Sequence, residues 1–158
     1  MCRIWGDNLP PVFVCLIYRP PKVSFEADPT FLPSLRDLCS DYSHKIIMGD
    51  FNADLLTNSS DSRYLNSLTK ELSLQVVDHK ATHRPNGAGI PITWIDAIFV
   101  DSNDTILSHI NTLPRFRSPH NHIDVEISLF IPTRPLNNFT YRKFKDMKPE
   151  DTNEILAK

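Results

Sequence analysis

Glycine is scarce in this chain, with 4 among 158 residues against 13 prolines. Neither GxGxxG nor GxxxxGK[ST] occurs, which excludes glycine-rich loops that cradle phosphates. Cysteine is nearly absent. Cys2, Cys15 and Cys39 are an odd set at long spacings, neither a disulfide framework nor a zinc site. Cys15 and Cys39 sit among apolar residues and read as small core hydrophobes. An intracellular compartment, nuclear or cytoplasmic, is expected from this usage. No apolar run approaches the roughly 18 residues of a membrane helix, so no membrane partner is expected. Residues 1–7 lack the basic, apolar, small-residue order of a signal peptide, so secretion is not expected either. Net charge is −2, unevenly spread: residues 1–112 carry 9 basic and 13 acidic side chains, residues 113–158 carry 8 and 6. A polyanion would have to be met by a local surface and not by the global field. At 41% hydrophobic and 23% charged, the composition is that of one soluble domain with a single core.

Val12 to Tyr18 is continuously apolar and bounded by prolines, the pattern of a strand buried on both faces. Arg19-Pro20-Pro21 ends it, because proline has no N–H to give a ladder. Phe31, Leu32, Leu35, Leu38 and Cys39 then recur at helical spacing, with Asp28 as N-cap and Pro29 at the first position. Lys45 to Met48 is another short buried strand, running into Gly49-Asp50-Phe51-Asn52. Tyr64, Leu65, Leu68 and Leu72 mark a second amphipathic helix with Asp61 near its start, and Leu74 to Asp78 a short strand. Thr82 to Pro91, with Asn86-Gly87 and Gly89, is a turn-rich loop. Strands are expected over Ile92 to Val100 and Thr105 to Thr112. From Ile123 to Ile131 alternation is strict, with His122, Asp124, Glu126 and Ser128 on the opposite side. Residues 134–148 hold five basic residues and one acid without apolar period, and Pro149 to Ala157 suits a short helix. Residues 133–158 therefore read as a basic linker leading out of a domain spanning 1–132. Strands alternating with helices, then mostly strands, predict an α/β or α+β layered domain, a sheet with helices on its outer face.

Three segments carry candidate chemistry. Asp50 and Asn52 stand two apart just past a buried strand, and on extended chain that spacing puts both on one side. A carboxylate can hold a cation or move a proton, and an amide can donate to a phosphate oxygen. The same residues also suit a plain turn. Asp96 interrupts an apolar strand, so it faces water or has a partner such as a histidine. His120 and His122 stand at i, i+2 before an alternating strand; they are loop histidines or metal ligands, though no carboxylate or cysteine cluster completes a set. His44, His79, His83 and His109 have no such context and are assigned nothing.

In order, these segments read Gly49-Asp50-Phe51-Asn52, Trp94-Ile95-Asp96-Ala97-Ile98-Phe99-Val100 and Ser118-Pro119-His120-Asn121-His122-Ile123. The set resembles the endonuclease/exonuclease/phosphatase superfamily, with its DNase I-like α/β sandwich. It is most similar to the apurinic/apyrimidinic-type endonuclease domain of non-LTR (LINE-type) retrotransposons. Tyr18-Arg19-Pro20-Pro21 is similar to that family's strand ending, and the likeness covers about residues 11–131. Phe139-Thr140-Tyr141-Arg142-Lys143-Phe144 resembles the segment leading toward a reverse transcriptase. The resemblance implies that Asp50 handles a proton or positions water near Mg²⁺ (or Mn²⁺). It implies that Asn52 hydrogen-bonds the scissile phosphate, that Asp96 orients His122 against it, and that Tyr18 helps bind it. A carboxylate beside an imidazole raises its pKa and fixes its tautomer, which suits a group facing an oxyanion.

This sequence departs from the pattern in three places. Where the family usually has Ser-Asp-His, the residue before His122 is Asn121, which removes a carboxylate; and Pro21 stands where relatives that repair DNA often have asparagine. The family's metal-binding glutamate precedes the Tyr-Arg-Pro-Pro strand, whereas Glu26, the first glutamate here, follows it. An amino-terminally truncated sandwich is therefore expected, with an apolar sheet face near Val14, Ile47 and Ile98 left uncovered and prone to self-association. The expected function is a Mg²⁺-dependent DNA phosphodiesterase of retrotransposon origin with impaired or lost activity, its cation weakly held. The alternatives are a non-catalytic retrotransposon-derived fragment and a small-molecule phosphatase of the same superfamily.

Overall fold

The computed structural model describes residues 2–6, 9–78, 80–85, 89–114 and 117–129. The expected basic linker, its short helix and the Asn86-Gly87 turn lie outside these residues. The long apolar strand forms as β2 (Leu9–Tyr18), and β1 (Cys2–Gly6) pairs antiparallel with it. Pro10 and Pro11 fall inside β2. They are tolerated because pairing with the next strand, β3 (His44–Asp50), begins only at Val12, and the β1 register is irregular beside them.

A parallel β2–β3 pair needs a crossover. It is made by a single 3-10 turn (Phe25–Ala27) and helix α1 (Phe31–Cys39). The helix starts later than its spacing suggests. Asp28 caps a turn instead, accepting from the N–H and hydroxyl of Thr30 at 3.0 and 2.6 Å. Pro33 then sits in the first turn, where a missing N–H costs nothing. Helix α2 (Ser60–Glu71) is capped by Ser59, whose hydroxyl accepts from Ser62 N–H at 3.1 Å. Strands β4 (Leu74–Val76) and β5 (Asp96–Asp101) complete a five-stranded sheet of order β1-β2-β3-β5-β4.

Strand β5 begins at Asp96, not Ile92. The backbone before it is occupied otherwise: Ile95 and Trp94 carbonyls accept from Phe51 and Leu55, and Thr93 bridges to His83. β6 (Thr105–Thr112) and β7 (His122–Ser128) form a separate two-stranded sheet.

One face of the main sheet presents Phe13, Ile47, Ala97 and Phe99 to Leu32, Leu35, Leu65 and Leu68 of the helices. The other face presents Ile46, Met48, Ile98 and Val100 to Ile106, Ile123, Val125 and Ile127 of the β6–β7 pair. The expected uncovered face is therefore corrected in place and extent. Ile47 and Ile98 are buried, on opposite faces, because helices and the β6–β7 pair cover them. The open ground is the end of β2, where Leu16 and Tyr18 are 76% and 68% exposed, so β2 is not buried on both faces throughout.

Candidate active site

Sheet register alone lines up three of the expected residues. Tyr18 of β2 is opposite Asp50 of β3, and Asp50 is opposite Asp96 of β5. Residues paired across neighbouring strands share a face, so the three form one row at the strand ends. Gly49 permits the β2–β3 approach beside that row: its φ is +148°, and a Cβ there would fall 1.7 Å from the Ile17 carbonyl oxygen.

Past Asp50 the chain turns through Asn52, which adopts a left-handed φ of 47°, a conformation asparagine tolerates. Asn52 N–H donates to Asp50 Oδ1 at 3.0 Å, and its side-chain amide donates to the Arg19 carbonyl at 2.7 Å. Arg19, only 7% exposed, closes the turn from beneath. Its guanidinium donates to the carbonyls of Val23, Phe51 and Asn52, pairs with Asp61 at 2.9 Å and lies 4.3 Å from the Phe25 ring centre. A buried cation with this many acceptors holds the Asp50–Asn52 turn against the end of β2.

Asp96 does have an imidazole partner, and it is His120. His120 Nδ1 lies 3.1 and 3.0 Å from the two Asp96 oxygens, while the Thr82 hydroxyl donates to Asp96 Oδ2 at 2.7 Å. The expected Asp96–His122 pairing is therefore corrected. His122 opens β7 on its outward side, where its Nε2 lies 3.0 Å from Asp124 Oδ2 in water. The loop before β7 is what brings His120 inward. Asn121 N–H donates to the Thr82 carbonyl at 2.7 Å, and Arg84 N–H donates to the Pro119 carbonyl at 2.9 Å. Arg84, 4% exposed, donates from its guanidinium to Asn121 Oδ1 and to the Ser118 carbonyl. The histidine that pairs with Asp96 is therefore preceded by Pro119 and not by Asn121, and Asn121 braces the loop, also donating to Asn111 Oδ1 at 2.6 Å.

Three site residues had no signal of their own in the sequence: Thr82, His83 and Arg84 read as part of a turn-rich loop. His83 is half-buried, its ring 4.7 Å from that of His120 and its Nδ1 2.9 Å from Thr93 Oγ1. Desolvation, with the nearby His120 charge, pushes the His83 pKa down. Burial pushes the Asp50 carboxyl up; the Asn52 N–H opposes this and the Asp96 charge adds to it. Asp50, Asp96 and His120 each offer a ligand atom within 4.8 Å of the others, so the cluster can hold a cation as well as move a proton.

The family model described as endonuclease-reverse transcriptase matches residues 12–124, which include the whole cluster. Among solved structures, the chain is similar to an endonuclease/exonuclease/phosphatase family protein from Leptotrichia buccalis C-1013-b, at 16% identity and a TM-score of 0.56, covering 80% of this chain and 52% of that one. It is also similar to a mannosyl-6-phosphatase from Bacteroides thetaiotaomicron VPI-5482, at 16% identity and a TM-score of 0.47, covering 75% and 51%. The chain spans about half the length of these structures. No curated protein matches it.

Proposed function

Because this chain belongs to the endonuclease-reverse transcriptase family, we propose that its strand-end site acts on a phosphodiester, as a DNA endonuclease domain of retrotransposon origin with impaired activity. The observation that carries this reading is the Asp96–His120 pair, whose Asp96 stands in the same row as Asp50. Asp96 accepts the His120 Nδ1 proton, fixes the tautomer and leaves Nε2 for a phosphate oxygen. Asp50, its carboxyl raised by burial, is suited to take the proton of an attacking water. Tyr18 presents its hydroxyl at the exposed end of the row. Asn52 has a second amide hydrogen beyond the one given to Arg19, available to the phosphate. The partner is the DNA backbone. Free thiols at Cys15 and Cys39 support a reducing intracellular setting.

A divalent cation, when bound, would neutralise charge developing on the phosphate. The residues present fit Mg²⁺ poorly, since it takes an all-oxygen octahedral shell and the third member of this cluster is an imidazole. Pro119 in place of a carboxylate supports impairment, as loss of one electrostatic contributor typically costs about 10²–10³ in rate.

Purified 1–158 is incubated with supercoiled and abasic DNA and Mg²⁺ or Mn²⁺, beside Asp50→Ala and His120→Ala. Very slow or undetectable nicking is expected, with any residual rate lost in both variants. Robust nicking abolished by both substitutions would remove the impairment and keep the enzyme. Hydrolysis of a sugar phosphate without DNA cleavage would favour the phosphatase alternative. The structural neighbours leave that alternative open, because fold does not separate the two activities.

A further inference from the structure

The geometry points to Asp50, Asp96 and His120, flanked by His83, as a binding site for a first-row transition-metal dication of the Zn²⁺ class in preference to Mg²⁺. Imidazole suits zinc, copper, iron and nickel, whereas magnesium selects oxygen and gives up its waters reluctantly. The three donors lie within 4.8 Å of one another. His120 Nδ1 lies 3.0 and 3.1 Å from the two Asp96 oxygens, so the imidazole and the carboxylate already stand side by side. A dication bound between them would release the Nδ1 proton to solvent and part the pair, replacing the hydrogen bond with two metal–ligand bonds.

The surroundings support the same reading. Asp50 and Asp96 are carboxylates side by side in one sheet row, so their mutual repulsion favours a shared cation. Asp96 is already oriented by the Thr82 hydroxyl at 2.7 Å, as ligating carboxylates commonly are by a hydrogen bond from an outer partner. His83 lies beside His120, its ring 4.7 Å away and its Nδ1 2.9 Å from Thr93 Oγ1, and so walls the site without belonging to the group of three donors. This inference concerns the site of the proposed reaction and uses none of its steps.

The test reads binding and not turnover. The metal-stripped 158-residue chain is titrated calorimetrically with ZnCl₂, CoCl₂ and MgCl₂. Zn²⁺ is expected to bind at least about 100-fold more tightly than Mg²⁺, and Co²⁺ to develop the visible absorption of mixed nitrogen–oxygen coordination. His120→Asn and Asp50→Asn should each weaken Zn²⁺ about 10-fold or more. His109→Asn, on an exposed β6 position, should leave binding unchanged. Circular dichroism without metal shows which variants fold. Should His120→Asn not fold, the His120 imidazole ¹⁵N shift on adding Zn²⁺ to the unmodified chain decides. Mg²⁺ binding as tightly as Zn²⁺, undiminished Zn²⁺ binding in folded His120→Asn, or an unmoved His120 resonance would overturn the inference. The two readings fail separately. Zn²⁺ bound here by a chain that cleaves nothing removes the reaction and keeps the site, and Mg²⁺-supported nicking by a chain that ignores Zn²⁺ does the reverse.

Discussion

Asp50 ionises against its surroundings: burial raises its carboxyl, the Asn52 N–H offsets part of that, and the Asp96 charge adds to the cost. A carboxyl raised on folding binds its proton more tightly in the native than in the unfolded chain. Its contribution is therefore fully present below the ordinary value of 3.8 and is lost as pH climbs through the raised one. Asp50→Asn removes the charge and keeps an acceptor for Asn52. The variant should melt higher than the parent at neutral pH, and the two should converge below 3.8; thermal melts across that range check it, and equal melting at neutral pH would refute it. The trade is stability against chemistry, common where a site needs a poised group. Asp50, Asn52 and Asp96 were legible in the sequence because each interrupts or follows an apolar run. The histidine was not. His120 and His122 differ by one strand repeat, and the choice between them is made by backbone bonds from Thr82 and Arg84 to residues 119 and 121, nearly forty positions away in the chain. Thr82 and His83 show nothing locally, since their meaning comes from what a remote loop brings to them.

Elements, unlike that loop, announced themselves wherever one periodicity ran unbroken. β6 appears over the expected residues, and the buried leucines of α2 are the expected ones. The misses lie where backbone bonds went elsewhere, as at Ile92–Ile95, or where no period exists, as in Cys2-Arg3-Ile4-Trp5-Gly6 of β1. Two interfaces between elements are sharp enough to test. At Gly49 the β3 backbone passes so close to Ile17 of β2 that a methyl would overlap its carbonyl oxygen, and φ is unfavourable as well. Gly49→Ala should cost at least about 2 kcal/mol by urea unfolding, and should disturb Asp50, the next residue. Arg84 is the second interface, joining the 82–84 segment to the 118–121 loop. Arg84→Met keeps most of the buried stem but strands the Asn121 and Ser118 oxygens, for an expected loss of about 1–3 kcal/mol. A near-neutral result would mean that the loop holds His120 without the guanidinium.

At the scale of the whole molecule, the fold is a main sheet with helices on one side and a two-stranded sheet on the other. The second cover is narrow. Among the described residues it reaches Ile46, Met48, Ile98 and Val100 and stops short of the end of β2, where Leu16 and Tyr18 are exposed on the same face. Leu107, Ile110 and Leu113 add exposed apolar surface in and just after β6. Scattered surface leucines are ordinary, but apolar side chains at the end of a sheet face beside a half-covered layer are the kind of surface that associates. The strand itself sharpens the point. β1 pairs with β2 no further than Val14, so between Cys15 and Tyr18 the edge of β2 away from β3 carries no described partner strand. The chain should therefore self-associate, with weight-average mass rising with concentration in sedimentation equilibrium. Leu16→Glu puts a charge at the exposed position without touching the buried Phe13, Ile47 or Phe99. It should shift the equilibrium toward monomer and leave the melting temperature of the dilute protein within about 2 °C, as surface substitutions usually do. A parent chain that stays monomeric at high concentration, or a Leu16→Glu variant that associates as strongly, would show that this end of β2 is not the contact.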